Sequence, residues 1–257
     1  MKLIKNLSWI MILAVSLFFS GCSKKDKSTS DNPSGTNNYT APAITNDTLI
    51  KIPSQMEDKA NNGSDYNLTL GVAQIDIINA LSTGLSDAFV YDQSTIDGWS
   101  SSKNSDGSVS YSWKYLYYTV TLTTYNSKSE SWWRYEEDSL SYSLPLYYID
   151  NKGTSGETDW FTKNSFSAPL DSVWKDTWTK NNGVYNSTFL GFGDANMVDT
   201  KYVSVSNADK SGSLDVYELD DNNHLYHSWN YVWDKNGVGS YTNYDTDGTT
   251  VLVTGTF

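Results

Sequence analysis

The chain reads as a mainly β protein: a single antiparallel meander sheet curled into a barrel or half-barrel, with one N-terminal helix packed on it. Three observations predict this. After Phe89 the apolar residues recur with period two. The dipeptides Asp97-Gly98, Asp106-Gly107, Asn182-Gly183, Asn236-Gly237 and Asp247-Gly248 punctuate those runs and favour the positive φ of tight hairpins. Aromatic residues make up 14% of the 257-residue chain, enough bulky surface to fill a wide sheet.

The helix is read from Leu70, Ala73, Ile77, Ala80 and Leu81, which recur at helical spacing, with Asn67 or Thr69 as cap and Gly84 as stop. Ile75 and Ile78 widen the apolar face, so the helix is expected to be largely buried. A short helical turn over 53–60 precedes it. Val109, Tyr111, Trp113, Tyr115 and Tyr117 then alternate with polar residues, and Tyr118, Val120 and Leu122 continue in the opposite phase, which predicts a bulge or corner. Further strands are expected over 131–135, 141–149, 159–166, 173–179, 184–192, 201–205, 214–219, 224–233, 240–244 and 251–257. Roughly eight to eleven strands of this kind tend to curl or close.

Composition excludes several functions. With 18 Lys+Arg against 30 Asp+Glu the formal charge is -12, and no basic stripe exists to replace phosphate counterions, so nucleic acid is not an expected partner. One cysteine forbids an internal disulfide and a thiolate zinc site.

The N-terminus carries the most specific pattern. Met1-Lys2-Leu3-Ile4-Lys5 is positive, and an apolar run over 7–19 leads to Phe19-Ser20-Gly21-Cys22. The run suits a secretory signal and is too short for a permanent membrane span. Phe19-Ser20-Gly21-Cys22 resembles the lipobox of bacterial lipoproteins, with Phe19 in place of the usual aliphatic residue. The resemblance implies cleavage after residue 21, acylation of Cys22, and a membrane contact made through two or three acyl chains, which make a stable anchor. Residues 22–46, poor in large apolar side chains, read as a disordered tether, and 47–257 as one β-rich domain. Without residues 1–21 the charge becomes -14, which anionic headgroups repel, so the acyl chains and not the protein surface would hold the membrane. The expected location is the cell envelope, the outer membrane preferred over the inner because Ser23 is not the Asp of inner-membrane retention. The surface and periplasmic faces both stay open. In outline the mature domain is similar to bacterial lipoproteins with a helix on an antiparallel meander, a likeness that brings no site residues.

Within the domain three constellations could carry chemistry. Asn207, Asp209, Ser211, Ser213, Asp215 and Glu218 place oxygen donors as the twelve-residue calcium loop of EF-hands and dockerins does, with Gly212 at its turn. The competing reading is a hairpin turning over 209–212, since Tyr202, Val203 and Val205 read as strand; calcium is thus the one cofactor entertained. Trp132, Trp133 and Arg134 are the candidate ligand-binding residues, because adjacent Trp on a strand face opposite ways and one should reach solvent; a glycan or an apolar small molecule is the ligand class. Glu130, Glu136, Glu137, Glu157, Asp159, Asp171 and Asp176 lie among the Trp residues, but a glycosidase needs two carboxyls at a set separation. His224 and His227, three apart, would face opposite sides of a strand and do not suit a shared metal. The expected function is a lipid-anchored, non-catalytic binding or interaction module, with a carbohydrate-active hydrolase and a structural scaffold as alternatives that the interior would distinguish.

Overall fold

Asp65 opens the helical part of the molecule by turning its Oδ1 onto the backbone N–H of Asn67 (3.0 Å) and Leu68 (3.1 Å), satisfying two donors that a helix start leaves unpaired. The computed structural model describes residues 49–63, 65–88, 97–115, 118–125, 129–135, 146–150, 153–162, 171–193 and 196–257. All of them fall within one unit, Thr40–Phe257. Helix α1 is Ser54–Asn61 and α2 is Tyr66–Ala88. The strands are β1 Asp97–Lys103, β2 Val109–Tyr115, β3 Tyr118–Thr124, β4 Ser129–Tyr135, β5 Leu146–Asp150, β6 Ser155–Thr162, β7 Asp171–Asn181, β8 Val184–Phe192, β9 Val198–Ser206, β10 Gly212–Leu219, β11 Leu225–Trp233, β12 Gly239–Tyr244 and β13 Val251–Thr256.

Each strand pairs with the next in antiparallel order, so the meander is as expected but longer, thirteen strands among the described residues. No pairing joins β1 to β13 among them, so the ladder is open and not a closed barrel. The phase swap after Tyr115 is a hairpin, not a bulge within one strand: Tyr115 pairs with Tyr118, which leaves two residues between β2 and β3. Asp97-Gly98 belongs to β1 and not to a turn; there the register against β2 shifts.

Helix α2 corrects the expectation in register. Its buried side is Leu68, Val72, Ile75 and Ile78, with Gly71 and Gln74 between them, whereas Ala73 and Ala80 are exposed. The orientation follows from one close approach. Gly71 lies against Tyr231 of β11; a Cβ there would stand 2.7 Å from Cζ of the ring. The Tyr231 hydroxyl donates to the Asn67 carbonyl at 3.1 Å and ties the first turn of α2 to the sheet. Helix α1 buries Met56 and Ala60 and is joined to α2 by the Thr69 hydroxyl, which donates to the Ala60 carbonyl at 2.9 Å.

One turn recurs four times. At 104–108, 207–211, 220–224 and 234–238 the first residue donates its N–H to the carbonyl of the fifth, and the fourth donates back to the first. The fourth residue has positive φ in each: Gly107 (85°), Lys210 (71°), Asn223 (63°) and Gly237 (74°). An Asp or Asn side chain braces each turn by accepting nearby N–H groups, the usual use of short polar side chains where the chain reverses.

Candidate functional site

Alternation and register sort the strand residues into two faces. On the face toward the helix, Trp174 and Trp178 of β7, Tyr185 and Phe189 of β8, Tyr202 of β9, Leu214 and Val216 of β10, Tyr231 and Trp233 of β11 and Tyr241 of β12 are all buried. The rings touch in sequence: Trp174 stacks on Phe189 with centroids 5.6 Å apart, and Phe189 meets Tyr202 at 5.9 Å. Trp178 lies over Gly156 of β6, the space a Cβ would take. Asp176 is buried on the same face, where the Ser187 hydroxyl donates to its Oδ1 at 2.6 Å. This face is packed.

A groove of about 380 Å³ opens beside the packed face. Ile50, Lys51 and Ile52 form one wall, Glu57 of α1 and Asp76 and Asn79 of α2 the others, and Lys210 reaches it from the β9–β10 turn. Asn79 fixes the first wall: its Oδ1 accepts from Ile50 N–H and its Nδ2 donates to Ile50 O, both at 2.9 Å. The Ser206 hydroxyl accepts from Lys51 N–H at 3.1 Å. Burial raises the Asp76 carboxyl above the ordinary carboxylate range. The groove therefore offers carboxylates and ammonium groups over a short aliphatic floor, chemistry that suits a polar ligand better than an apolar one.

The outer face carries the acids that a hydrolase would need. Lys175 Nζ lies 2.8 Å from Glu157 Oε1 and 3.7 Å from Asp159 Oδ1. Asp159 is 7% exposed, and its carboxyl is pushed up to about 7, first by burial and then by its hydrogen bond with Glu157, against the pull of Lys175. Two carboxyls in hydrogen-bond contact leave no room for a glycosidic bond or water between them, whereas glycosidase pairs stand roughly 5 Å or more apart. Asp176 cannot substitute, because pairing of Asp159 with Lys175 and of Thr158 with Asp176 puts Asp159 and Asp176 on opposite faces. Asp171 begins β7, and Glu136 and Glu137 lie outside the described residues.

The same outer face holds a feature missed in the sequence. His227 is sandwiched between Tyr217 (centroids 4.9 Å apart) and Tyr244 (4.8 Å), with its Nε2 3.0 Å from Asp215 Oδ1 and Lys201 Nζ 4.8 Å over the Tyr217 ring. These rings spend their faces on one another, so they do not make a stacking platform for a sugar. His224 lies in the turn before β11, 80% exposed at its side chain and 3.5 Å from Asp220, so the two histidines are apart.

Of the residues singled out from the sequence, Cys22 lies outside the described residues. Trp132, Trp133 and Arg134 lie on β4, their backbones paired with Thr121, Val120 and Thr119 of β3; their side chains are outside the description. The calcium-type set is not gathered round a point. Asn207, Asp209 and Ser211 build one of the four recurrent turns: Asp209 Oδ1 accepts from Ser211 N–H (3.0 Å) and hydroxyl (2.7 Å), and Asn207 Nδ2 donates to Ser211 Oγ at 3.0 Å. Ser213, Asp215 and Glu218 run down β10, where each residue advances about 3.3 Å. Asp215 is engaged by Asn230 Nδ2 at 2.8 Å and by His227. Among the described residues no three His, Cys, Asp or Glu side chains converge as a metal site would require, and no helix is long and apolar enough to cross a membrane. A scan against protein-family models finds no match, and a search of curated proteins finds none either.

Proposed function

We propose that this is a lipid-anchored protein of the cell envelope whose β domain serves as a non-catalytic binding or interaction module. The observation that carries the module reading is the filled helix–sheet interface beside an open groove of mixed charge. A carrier of apolar ligands would need the interior that Gly71 and Tyr231 close off, so recognition falls to the surface. The locked Glu157, Asp159 and Lys175 contact supports the absence of a glycosidase mechanism on that face. The anchor rests on Phe19-Ser20-Gly21-Cys22 and on a net charge that gives the protein surface no attraction to anionic lipid. The packed interior also favours a second reading, a scaffold with no small ligand.

Radiolabelled palmitate supplied to cells making the full chain tests the anchor. Label on the wild type and none on Cys22→Ser is the expected result, and label that survives the substitution overturns it. A thermal-shift screen of polar metabolites tests the groove: a stabilisation lost in Asp76→Ala and Lys210→Ala supports binding there. Acylation with no shift from any compound leaves the scaffold reading.

A further inference from the structure

The two free edges of the sheet are built differently. Strand β1, Asp-Gly-Trp-Ser-Ser-Ser-Lys, has charges at both ends and a register shift, devices that keep an edge from pairing. Strand β13 has no charge and no proline, and Val251, Leu252 and Val253 are 54%, 56% and 43% exposed in succession. An open array normally caps its last strand with a polar outer side; β13 presents aliphatic side chains on both faces.

Which partner fits follows from the strand itself. Thr250-Val251-Leu252-Val253-Thr254 reads the same in both directions. An antiparallel copy related by a two-fold axis at Leu252 would set Leu252 against Leu252, each Val251 against Val253 and each Thr250 against Thr254, all favourable cross-strand pairs. Leu252 is the extra residue of a bulge, since Asn243 pairs with Val253 and Tyr244 with Val251; the bulge turns three consecutive aliphatic side chains outward. Phe257 exchanges both backbone bonds with Gly239, so by alternation Thr254 and Thr256 aim their backbone groups away from β12. The acids keep apart in this arrangement. Asp247, held in its own turn by Thr249 and Thr250, falls opposite Phe257 of the other copy, not opposite the other Asp247.

We propose that β13 is a self-association edge, pairing antiparallel with β13 of a second copy about an axis through Leu252. The contact is small beside the roughly 1,200 Å² that a stable complex buries, so the dimer is weak and rises with concentration. The net charge of -12 opposes it, so added salt strengthens it.

The test uses full-length chain in membranes with a single added cysteine, mildly oxidised. Leu252→Cys is expected to give the strongest band at twice the chain mass, because only the residue on the axis meets itself, with weaker bands from Thr249→Cys and Thr256→Cys. The wild type, carrying Cys22 alone, controls for crosslinking through that thiol. Sedimentation of the full chain in detergent gives a second reading: mass rises with concentration and salt, and Leu252→Lys removes the rise. Equal crosslinking at all positions, none at 252, or a mass that stays monomeric at every concentration overturns the proposal. Absence of acyl label on the same samples speaks against the anchor alone and leaves the crosslinking result intact.

Discussion

Gly71→Ala is the sharpest probe of how the helix is seated. On an exposed helix the change would stabilise by about 1 kcal/mol, since glycine is the poorer helix former. Here the new methyl meets three atoms of the Tyr231 ring, at 2.7 Å from Cζ and 2.8 Å from Cδ1 for two of them. The ring cannot swing away freely: it is fully buried, is stacked against Trp229 with centroids 5.7 Å apart, and donates from its hydroxyl to Asn67. Overpacking of this kind costs roughly 1–3 kcal/mol, and a helix that lifts to relieve it loses the Tyr231 hydrogen bond, about 1 kcal/mol more. The propensity gain offsets part of this, leaving a net loss of about 1–3 kcal/mol. Urea unfolding followed by tryptophan fluorescence reads it as a lower midpoint at unchanged slope. Ala73→Gly, on the exposed side of α2, is the companion and should cost about 1 kcal/mol from propensity alone. A Gly71→Ala protein as stable as the wild type, or more so, would refute the seating of α2 on Tyr231.

Three further outcomes are expected. The raised carboxyl of Asp159 keeps its proton in the folded chain at pH values where the unfolded chain has lost it, so stability falls as pH rises from about 4 to about 7, by at most about 1.4 kcal/mol per pH unit. Asp159→Asn should flatten that slope and raise stability at pH 8, read from unfolding midpoints across the range; an unchanged slope sinks the assignment. Asn79→Ala removes both bonds to Ile50 and should cost roughly 1–3 kcal/mol, with faster hydrogen exchange at Ile50; protection equal to wild type there would show that the wall is held otherwise. Calcium at millimolar concentration should leave tryptophan fluorescence unchanged, because Asp209 is committed to Ser211 and Asp215 to Asn230 and His227; a saturable change lost in Asp215→Asn would count against this.

Much of the fold was legible in local pattern. Strand β8 matches its expected range, Val184–Phe192, because a period-two run bounded by Asn182-Gly183 leaves one way to pair. What failed did so for identifiable reasons. The spine of α2 was placed on Leu70, Ala73 and Ile77 because hydrophobicity weights them above Gly71 and Gln74, yet glycine decides which side can approach a ring. The true cap, Asp65, stands one residue before the helix and was passed over for Asn67 and Thr69. Strand β1 was missed because serine carries no alternation. The Asn207 to Glu218 set looked like a calcium loop because an Asp-braced hairpin and a metal loop use the same short oxygen-bearing residues.

The sequence by itself determined the class of fold, its antiparallel order, the turns and the charge, since these depend on neighbours a few residues apart. Only the tertiary structure decided that the ladder stays open, that Glu157 and Asp159 share Lys175 while Asp176 faces the other way, and that His227 sits between two tyrosines. Those are contacts between side chains on different strands. A slip of one residue in pairing would send every one of them to the opposite face, and composition and periodicity do not encode that register.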